Sequence, residues 1–257
     1  MDYLIICCVA LLGSGLTLFS GFGLGTLLIP TFGIFFPVDI AIALTAIVHF
    51  FNNLFKLAFL GKQADRSIII KFGIPSVFAA LLGAYVLNLL THIPPLIQYT
   101  TGEKSHEITA VKLTMALLLV FFALFDTMPA LSGLRFNKKF MALGGLLSGF
   151  FGGLSGMQGA LRSAFLIRAD LTKETFIATG AVIACLVDIS RLSLYARHMQ
   201  NIPEGFQLSI IVAATLSAFL GVYLGSKYLK KVTLKTLQYI VAVMLCVFAV
   251  LMGTGLI

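Results

Sequence analysis

The sequence predicts an all-α integral membrane protein, because its composition, its apolar run lengths and the placement of its charges all indicate one. Of the 257 residues, 59% are hydrophobic and only 11% are charged, and the mean hydropathy is +1.03. Most of the chain consists of apolar runs near or above the roughly 20 residues that a helix needs to cross a bilayer. The net charge is +8, but the basic residues lie mainly in short loops, where Lys and Arg set membrane orientation. We therefore expect the lipid bilayer, and no nucleic acid, as the partner of this charge.

Eight hydrophobic regions follow one another in two sets of four. We name them A (3–36), B (38–60), C (68–91), D (109–128), A′ (140–167), B′ (175–196), C′ (206–226) and D′ (234–256). Order and length agree between the two sets, although sequence identity is low. The sequence therefore predicts two membrane repeats, residues 1–131 and residues 132–257.

Each set begins with a glycine-broken apolar stretch. The first reads SGFGLG over 20–25 and the second reads GGLSGMQG over 152–159. Ser20-Gly21 and Ser155-Gly156 are 135 positions apart (155 minus 20), and the same offset places Lys56 against Arg191. A helix break in lipid leaves backbone groups without partners, so it is tolerated where it lines a cavity. Broken segments at corresponding positions of two halves indicate the binding site of a secondary transporter.

The loop cations distinguish between two topologies. If all eight regions cross once, seven cations fall on one face and eight on the other. If A′ instead bends at its glycines and returns to the side it entered from, the split becomes twelve against three, which the positive-inside rule favours. The twelve are Lys62, Arg66, Lys71, Arg135, Lys138, Lys139, Arg168, Lys173, Lys227, Lys230, Lys231 and Lys235, and the three are Lys104, Lys112 and Arg197.

Segment length supports the re-entrant form of A′. Its roughly 28 residues would make a straight helix of about 42 Å, whereas the hydrocarbon core is about 30 Å thick. A break near Gly156 leaves two halves of roughly 11 to 16 residues, too short to cross comfortably. The repeat extends this prediction to A, so each half has three full crossings and the second half is inverted relative to the first.

Three basic residues lie within the apolar regions. They are Lys56, Arg162 and Arg191, and a charge at such a depth is costly unless it faces a cavity or a partner. Arg162 follows the second break, at the start of a half-helix whose free N–H groups attract anions. The alternatives are that Arg162 reaches the interface or pairs with Asp188, and that Lys56 and Arg191 extend to the interface.

Regions B and B′ carry a polar stripe. Thr45, His49, Asn53 and Lys56 share one helix face, which should point into the protein. In B′, Asp188 is either a proton-coupling carboxylate or the partner of Arg191 three residues later. His49 is either a proton carrier or a core histidine with a satisfied partner.

Other classes of function find little support. No His/Glu spacing of a zinc protease, no Gly-x-Ser-x-Gly elbow and no phosphate-binding loop occurs. The four cysteines have no metal-type spacing, and we interpret them as packing residues. We therefore expect no cofactor, no metal and no enzyme activity, with a channel or a membrane subunit of a larger complex as the alternative to a transporter and an intramembrane enzyme as the less favoured one.

The chain resembles the TauE/SafE family of sulfite exporters and related anion permeases. The similar segments are GLSGMQGALRSAFL over 153–166 and TGAVIACLVD over 179–188, and the likeness extends over essentially the whole chain. Where many members have a run of glycines followed by a proline, this chain has MQGALR over 157–162, which adds a cation. The resemblance implies transport of sulfite, sulfonates or related sulfur-containing anions across the bacterial inner membrane.

We therefore expect a multi-pass secondary transporter for a small anion, with alternating access between the two repeats. Direction, coupling ion and oligomeric state stay open. The expected substrate-binding residues are Ser20, Gly21, Gly23, Ser155, Gly156, Gln158, Arg162, Lys56 and Arg191, and the expected coupling residues are Asp188 and His49.

Overall fold

The computed structural model describes residues 2–20, 23–128, 136–167, 169–195, 206–228 and 234–257. Within these ranges the side chains of residues 2, 18–20, 126, 206–207, 228, 234–238 and 240 stand outside the description.

Helices account for most of the described chain. The first half contains α1 (Asp2–Ser20), α2 (Leu24–Gly33), α3 (Val38–Leu60), the single turn α4 (Arg66–Ile68), a π-helical turn (Ile69–Gly73), α5 (Ile74–Thr91) and α6 (Ala110–Thr127). The second half contains α7 (Met141–Ser155), α8 (Gly159–Leu166), α9 (Lys173–Tyr195), α10 (Phe206–Tyr228) and α11 (Leu234–Gly253). Short 3₁₀ turns at Gly61–Gln63 and Lys138–Phe140 complete the helical elements.

The apolar helices match the requirement of a bilayer. Four helical runs among the described residues are long and apolar enough to cross a membrane: Val38–Gln63, Arg66–Thr91, Lys173–Tyr195 and Leu208–Lys227. Large apolar side chains also face outward: Phe78, Leu117 and Val243 are 67%, 65% and 64% exposed. Such a surface is suited to lipid rather than to water. The chain is a mostly helical, multi-pass membrane protein.

One element departs from the all-α prediction. The polar connection after α5 forms an antiparallel hairpin of β1 (Ile97–Thr101) and β2 (Lys104–Ile108). Gly102 occupies its turn with φ +65°, a conformation that glycine adopts without steric cost. Tyr99 Oη donates to the Thr254 carbonyl (2.6 Å), which holds the hairpin beside the end of α11.

Both glycine-rich stretches interrupt their helices. Between α1 and α2, Gly23 is extended, with φ −81° and ψ 137°. Between α7 and α8, Gly156 is left-handed, with φ 76°, and its N–H donates to the Gly152 carbonyl (2.9 Å), a common glycine helix ending. The half-helices have 19, 10, 15 and 8 residues, so the expected range of 11 to 16 holds only for α7.

The two ends of region A′ lie side by side. The Phe136 N–H donates to the Ala164 carbonyl (3.4 Å), and the Phe136 ring stacks on Phe165 with centroids 4.2 Å apart. Lys138 Nζ lies 2.7 Å from the Asp170 carboxylate. The chain before α7 therefore contacts the chain at and after the end of α8.

Helices of the first half pack on helices of the second. The main pairs are α1 with α10, α5 with α7, α3 with α9 and α6 with α11. Gly149 of α7 lies so close to α5 that a β-carbon there would collide with the Ser76 backbone, and one at Gly221 of α10 would collide with the Leu11 backbone. Such close helix approach is characteristic of small residues in membrane proteins.

Candidate functional site

The two glycine breaks meet inside the molecule. A β-carbon at Gly25 would lie 3.0 Å from the Gly156 carbonyl oxygen, and one at Gly23 would lie 3.8 Å from the Gly159 nitrogen. The N-terminal ends of α2 and α8 are therefore neighbours, although they are far apart in sequence. Their free N–H groups add positive potential to this region.

A buried ionic triad connects α3 to α9 beside the breaks. His49 Nδ1 donates to Asp188 Oδ2 (2.6 Å), and Arg191 donates to Asp188 Oδ1 through Nε (3.0 Å) and Nη2 (2.7 Å). The side chains are at most 3% exposed. Burial of these charges is tolerated because the carboxylate accepts three hydrogen bonds. The structure therefore pairs Asp188 with Arg191 and His49, and the interpretation that Arg191 extends to the interface is wrong.

Arg191 also reaches the second break. A β-carbon at Gly156 would lie 2.6 Å from Arg191 Nη1, and the backbone there has φ 76°, so a substitution at this position would be strained. Among the described residues, Arg191 Nη1 and Gln158 Nε2 are buried donors without a hydrogen-bond partner. Buried donors of this kind normally have a partner, so a bound anion or water would satisfy them.

A small cavity of about 40 Å³ opens next to the triad. Its polar wall includes Lys56 from α3, Arg162 from α8, and His49 and Asn53 from α3. None of its described lining residues is a carboxylate, so two cations face the space directly while Asp188, the nearby acidic residue, stands behind the wall and is bonded to Arg191 and His49. An excess of positive charge in a low-dielectric region attracts anions.

Local structure holds these cations in place. Arg162 Nη1 donates to Gln158 Oε1 one turn earlier (3.1 Å). Gly180 of α9 leaves room for the guanidinium, since a β-carbon there would lie 3.4 Å from Arg162 Nε. Asn53 Nδ2 donates to the His49 carbonyl (2.9 Å), which fixes the amide at the cavity wall.

The remaining predicted residues differ in their positions. Gly23, His49, Lys56 and Arg162 line the cavity, whereas Asp188, Arg191 and Gly156 lie deeper. The Ser155 hydroxyl donates to the Phe151 carbonyl of its own helix (2.9 Å) and does not line the cavity. Gly21 and the Ser20 side chain lie outside the described part of the chain.

Some polar residues near the site were missed from the sequence. Thr17 of α1 lines the cavity, and Ser14 Oγ donates to Asn52 Oδ1 (2.9 Å), linking α1 to α3. Tyr195, at the end of α9, donates its hydroxyl to the Gly153 carbonyl of α7. Ser14 and Thr17 are three positions apart in an apolar helix, which is the signal that could have identified them.

No group of three or more His, Cys, Asp or Glu side chains capable of holding a metal ion occurs within the described residues.

Comparison with known proteins agrees with this architecture. A search of curated proteins gives no match. The sequence pattern of the family Sulfite exporter TauE/SafE matches residues 5–252, nearly the whole chain. That family consists of membrane transporters of the sulfite exporter type. The chain therefore belongs to the TauE/SafE sulfite exporter family.

Proposed function

We propose that this protein is a secondary transporter that carries a small oxyanion, such as sulfite or an organosulfonate, through the cavity beside the two breaks. The observation that carries the proposal is the pair Lys56 and Arg162, both half-buried, on one small cavity without a lining carboxylate. A buried charge in a membrane protein usually marks a substrate or ion pathway. A small, strongly charged oxyanion fits such a space, whereas a large apolar solute does not.

The charge balance of the buried cluster favours a dianion. With His49 taken in its neutral form, Lys56, Arg162 and Arg191 contribute three positive charges and Asp188 contributes one negative charge. The excess of two positive charges would be neutralised by one doubly charged oxyanion. Fully deprotonated sulfite carries two negative charges, whereas a sulfonate group carries one.

The predicted binding residues take distinct roles in this proposal. Lys56 and Arg162 hold the anion, Gly23 and Gln158 present donors from the two breaks, and Gly156 shapes the second break, since its own N–H is bonded to the Gly152 carbonyl. Arg191 lies at the second break, where its Nη1 has no hydrogen-bond partner. Ser20, Gly21 and Ser155 remain proposed contributors for a state in which the breaks have moved.

Asp188 and His49 are the proposed coupling pair. A proton that arrives at Asp188 would remove the charge that holds Arg191, which would free the guanidinium for the anion. This links anion binding to protonation at a single carboxylate. The coupling would appear as anion flux that follows an imposed pH gradient.

The proposed mechanism is alternating access between residues 1–131 and residues 132–257 as inverted repeats. The reciprocal packing of α1 on α10 and of α7 on α5 supports an internal two-fold relation. The contact of Phe136 with Ala164 and Phe165 supports a re-entrant A′. The charge distribution supports a cytoplasmic position for the loop that contains Lys139, in a protein of the bacterial inner membrane.

Topology mapping tests the inversion. Reporter domains fused after Lys139 and after Lys173 should report the same side of the membrane, and a fusion after Lys104 the opposite side. Opposite sides for Lys139 and Lys173 would overturn the re-entrant A′ and with it the inverted arrangement.

Flux measurements test the function. The purified protein in proteoliposomes should show saturable, gradient-dependent uptake of sulfite. Arg162→Ala and Lys56→Ala should each lower this flux at least tenfold, whereas Lys71→Ala, an exposed cation in the π-helical turn, should leave it near the unmodified value. Flux that rises linearly with concentration would indicate a channel, and unchanged flux in both cavity variants would remove them from the site.

A ligand screen would identify the anion. Thermal stabilisation of the purified protein should be compared for sulfite, sulfate, thiosulfate, sulfonates and carboxylates, since a ligand that binds only the folded state stabilises it. The Arg162→Ala variant is the matched control, and it should lose the shift of the specific ligand.

A further inference from the structure

A second, larger cavity lies at the opposite end of the molecule, beside the β-hairpin. Its volume is about 490 Å³, and its lining includes Asp39 near the start of α3, Thr91 at the end of α5, Glu107 in β2 and Lys112 in α6. We call this space the vestibule. Its charged lining is suited to water, because buried or half-buried polar groups need hydrogen-bond partners.

A second, narrow space adjoins the vestibule at Asp39 and Thr91. This space of about 20 Å³ shares Asp39 and Thr91 with the vestibule, and it continues past Ala43 and Asn88 to Tyr195. Tyr195 is the innermost of these residues by its contacts, since its hydroxyl donates to the Gly153 carbonyl three residues before Gly156. We call this space the neck.

The neck and the cation-lined cavity approach each other from opposite ends of the α3–α9 pair. Along α3 the neck residue Ala43 precedes the cavity residue His49 by six positions, a rise of about 9 Å. Along α9 the order is reversed, with Ala181 at the cavity and Tyr195 at the neck. The two spaces are therefore separated by about 9 Å along α3 and about 21 Å along α9, both less than the roughly 30 Å hydrocarbon core.

We propose that the vestibule and neck are the second access route of the transported anion, and that the Tyr195–Gly153 hydrogen bond closes this route. The identity of the anion in this proposal rests on the proposed transport function, whereas the arrangement of the vestibule and neck does not. The bond joins the end of α9 to the last turn of α7, so it ties region B′ to the helix that ends at the second break. Its opening would connect the neck to the Arg191 guanidinium at Gly156.

Cysteine accessibility tests the route. In a full-length background with Cys7, Cys8, Cys185 and Cys246 replaced by Ala, the Asn88→Cys variant is treated with sulfonatoethyl methanethiosulfonate, a small membrane-impermeant sulfonate. We expect labelling when the reagent is added on the β-hairpin side and none when it is added on the opposite side. Absence of labelling from the β-hairpin side would overturn the route.

A second labelling site tests the gate. Ala46 lies on α3 between the neck and His49 and is fully buried, so the Ala46→Cys variant should react slowly. Adding Tyr195→Phe removes the hydroxyl and with it the hydrogen bond to the Gly153 carbonyl, which should raise the labelling rate from the β-hairpin side about fivefold. Tyr85→Phe is the matched control, because Tyr85 is 52% exposed at the outer surface, and it should not change the rate.

The outcomes separate this proposal from the transport function. An unchanged Ala46→Cys rate in the Tyr195→Phe variant would overturn the gate. Labelling needs no transport, so the two hypotheses can fail separately. Sulfite flux by the unmodified protein together with an unreactive Asn88→Cys variant would support the transport function and overturn the vestibule as a route. A reactive Asn88→Cys variant in a protein without flux would support an accessible vestibule and overturn the transport function. If the Tyr195→Phe variant fails to fold, the Asn88→Cys measurement still decides the route.

Discussion

Replacement of Asp188 by Asn should destabilise the protein through the charge that it leaves behind. The carboxylate accepts from His49 Nδ1 at 2.6 Å and from Arg191 at 2.7 and 3.0 Å. Asn keeps the shape and one acceptor oxygen, but it leaves the fully buried Arg191 guanidinium without a counter-ion. Removal of one partner from a buried ion pair costs about 3–5 kcal/mol. Because Asn retains one acceptor, the loss of unfolding free energy should be about 3 kcal/mol for Asp188→Asn and about 5 kcal/mol for Asp188→Ala, the two ends of this range.

The free energy of unfolding in mixed micelles, measured by titration with SDS, checks this magnitude. Asp39→Asn is a matched control, because Asp39 lies half-buried in the first turn of α3. There the same substitution removes only a helix-dipole interaction of about 0.3–1 kcal/mol. The double variant Asp188→Asn with Arg191→Gln should be more stable than Asp188→Asn alone, since no unpaired charge remains. A loss below about 1 kcal/mol, or a double variant that loses the sum of the single losses, would refute the reasoning.

Two further substitutions test the helix contacts and the loop ion pair. Gly149→Ala should lower the unfolding free energy by about 1–3 kcal/mol, because its β-carbon collides with the Ser76 backbone; Gly61→Ala, with ordinary contacts to Leu57, should change it little. The Lys138 hydrogen bond and charge lower the pKa of the exposed Asp170, so this pair contributes stability above the usual Asp pKa of about 3.9 and loses it as the pH falls through the lowered value. Asp170→Asn should therefore lower the melting temperature slightly at pH 7 and not at pH 2; an equal effect at both would contradict the pairing.

The breaks could be located from sequence because their signal is local. Glycine at 156 ends α7 through a left-handed residue, and apolar length marked the crossing helices. The lengths of α1 and α8 were less well predicted, because the residue at which a helix ends depends on its packing partners. In the structure α2 packs against α1, and α8 has only 8 residues. The β-hairpin at 97–108 was missed because its strands are polar and short, and its place is fixed by the contact with the end of α11.

The candidate site, like the fold, could be predicted only in part from the sequence. Lys56, Arg162 and Arg191 were singled out because a charge in an apolar run is costly wherever the chain folds. Which of them face a common cavity could not be predicted, since Lys56 and Arg162 come from different halves and Arg191 is held away by Asp188. The helical spacing allowed the Asp188–Arg191 pair, but the bond from His49 depends on how α3 packs on α9.

The sequence by itself determined that this protein crosses a membrane, where its helices break, and which charges are exceptional. These follow from transfer free energies and backbone hydrogen bonding, which act on each segment separately. Only the tertiary structure decided that the two breaks meet at Gly25 and Gly156 and that Asp188 is held by residues of α3 and α9. It also decided that the cation-lined cavity and the neck lie toward opposite ends of the α3–α9 pair. Those relations depend on contacts between helices far apart in sequence, where close packing of small residues selects one arrangement among many that the apolar pattern allows equally.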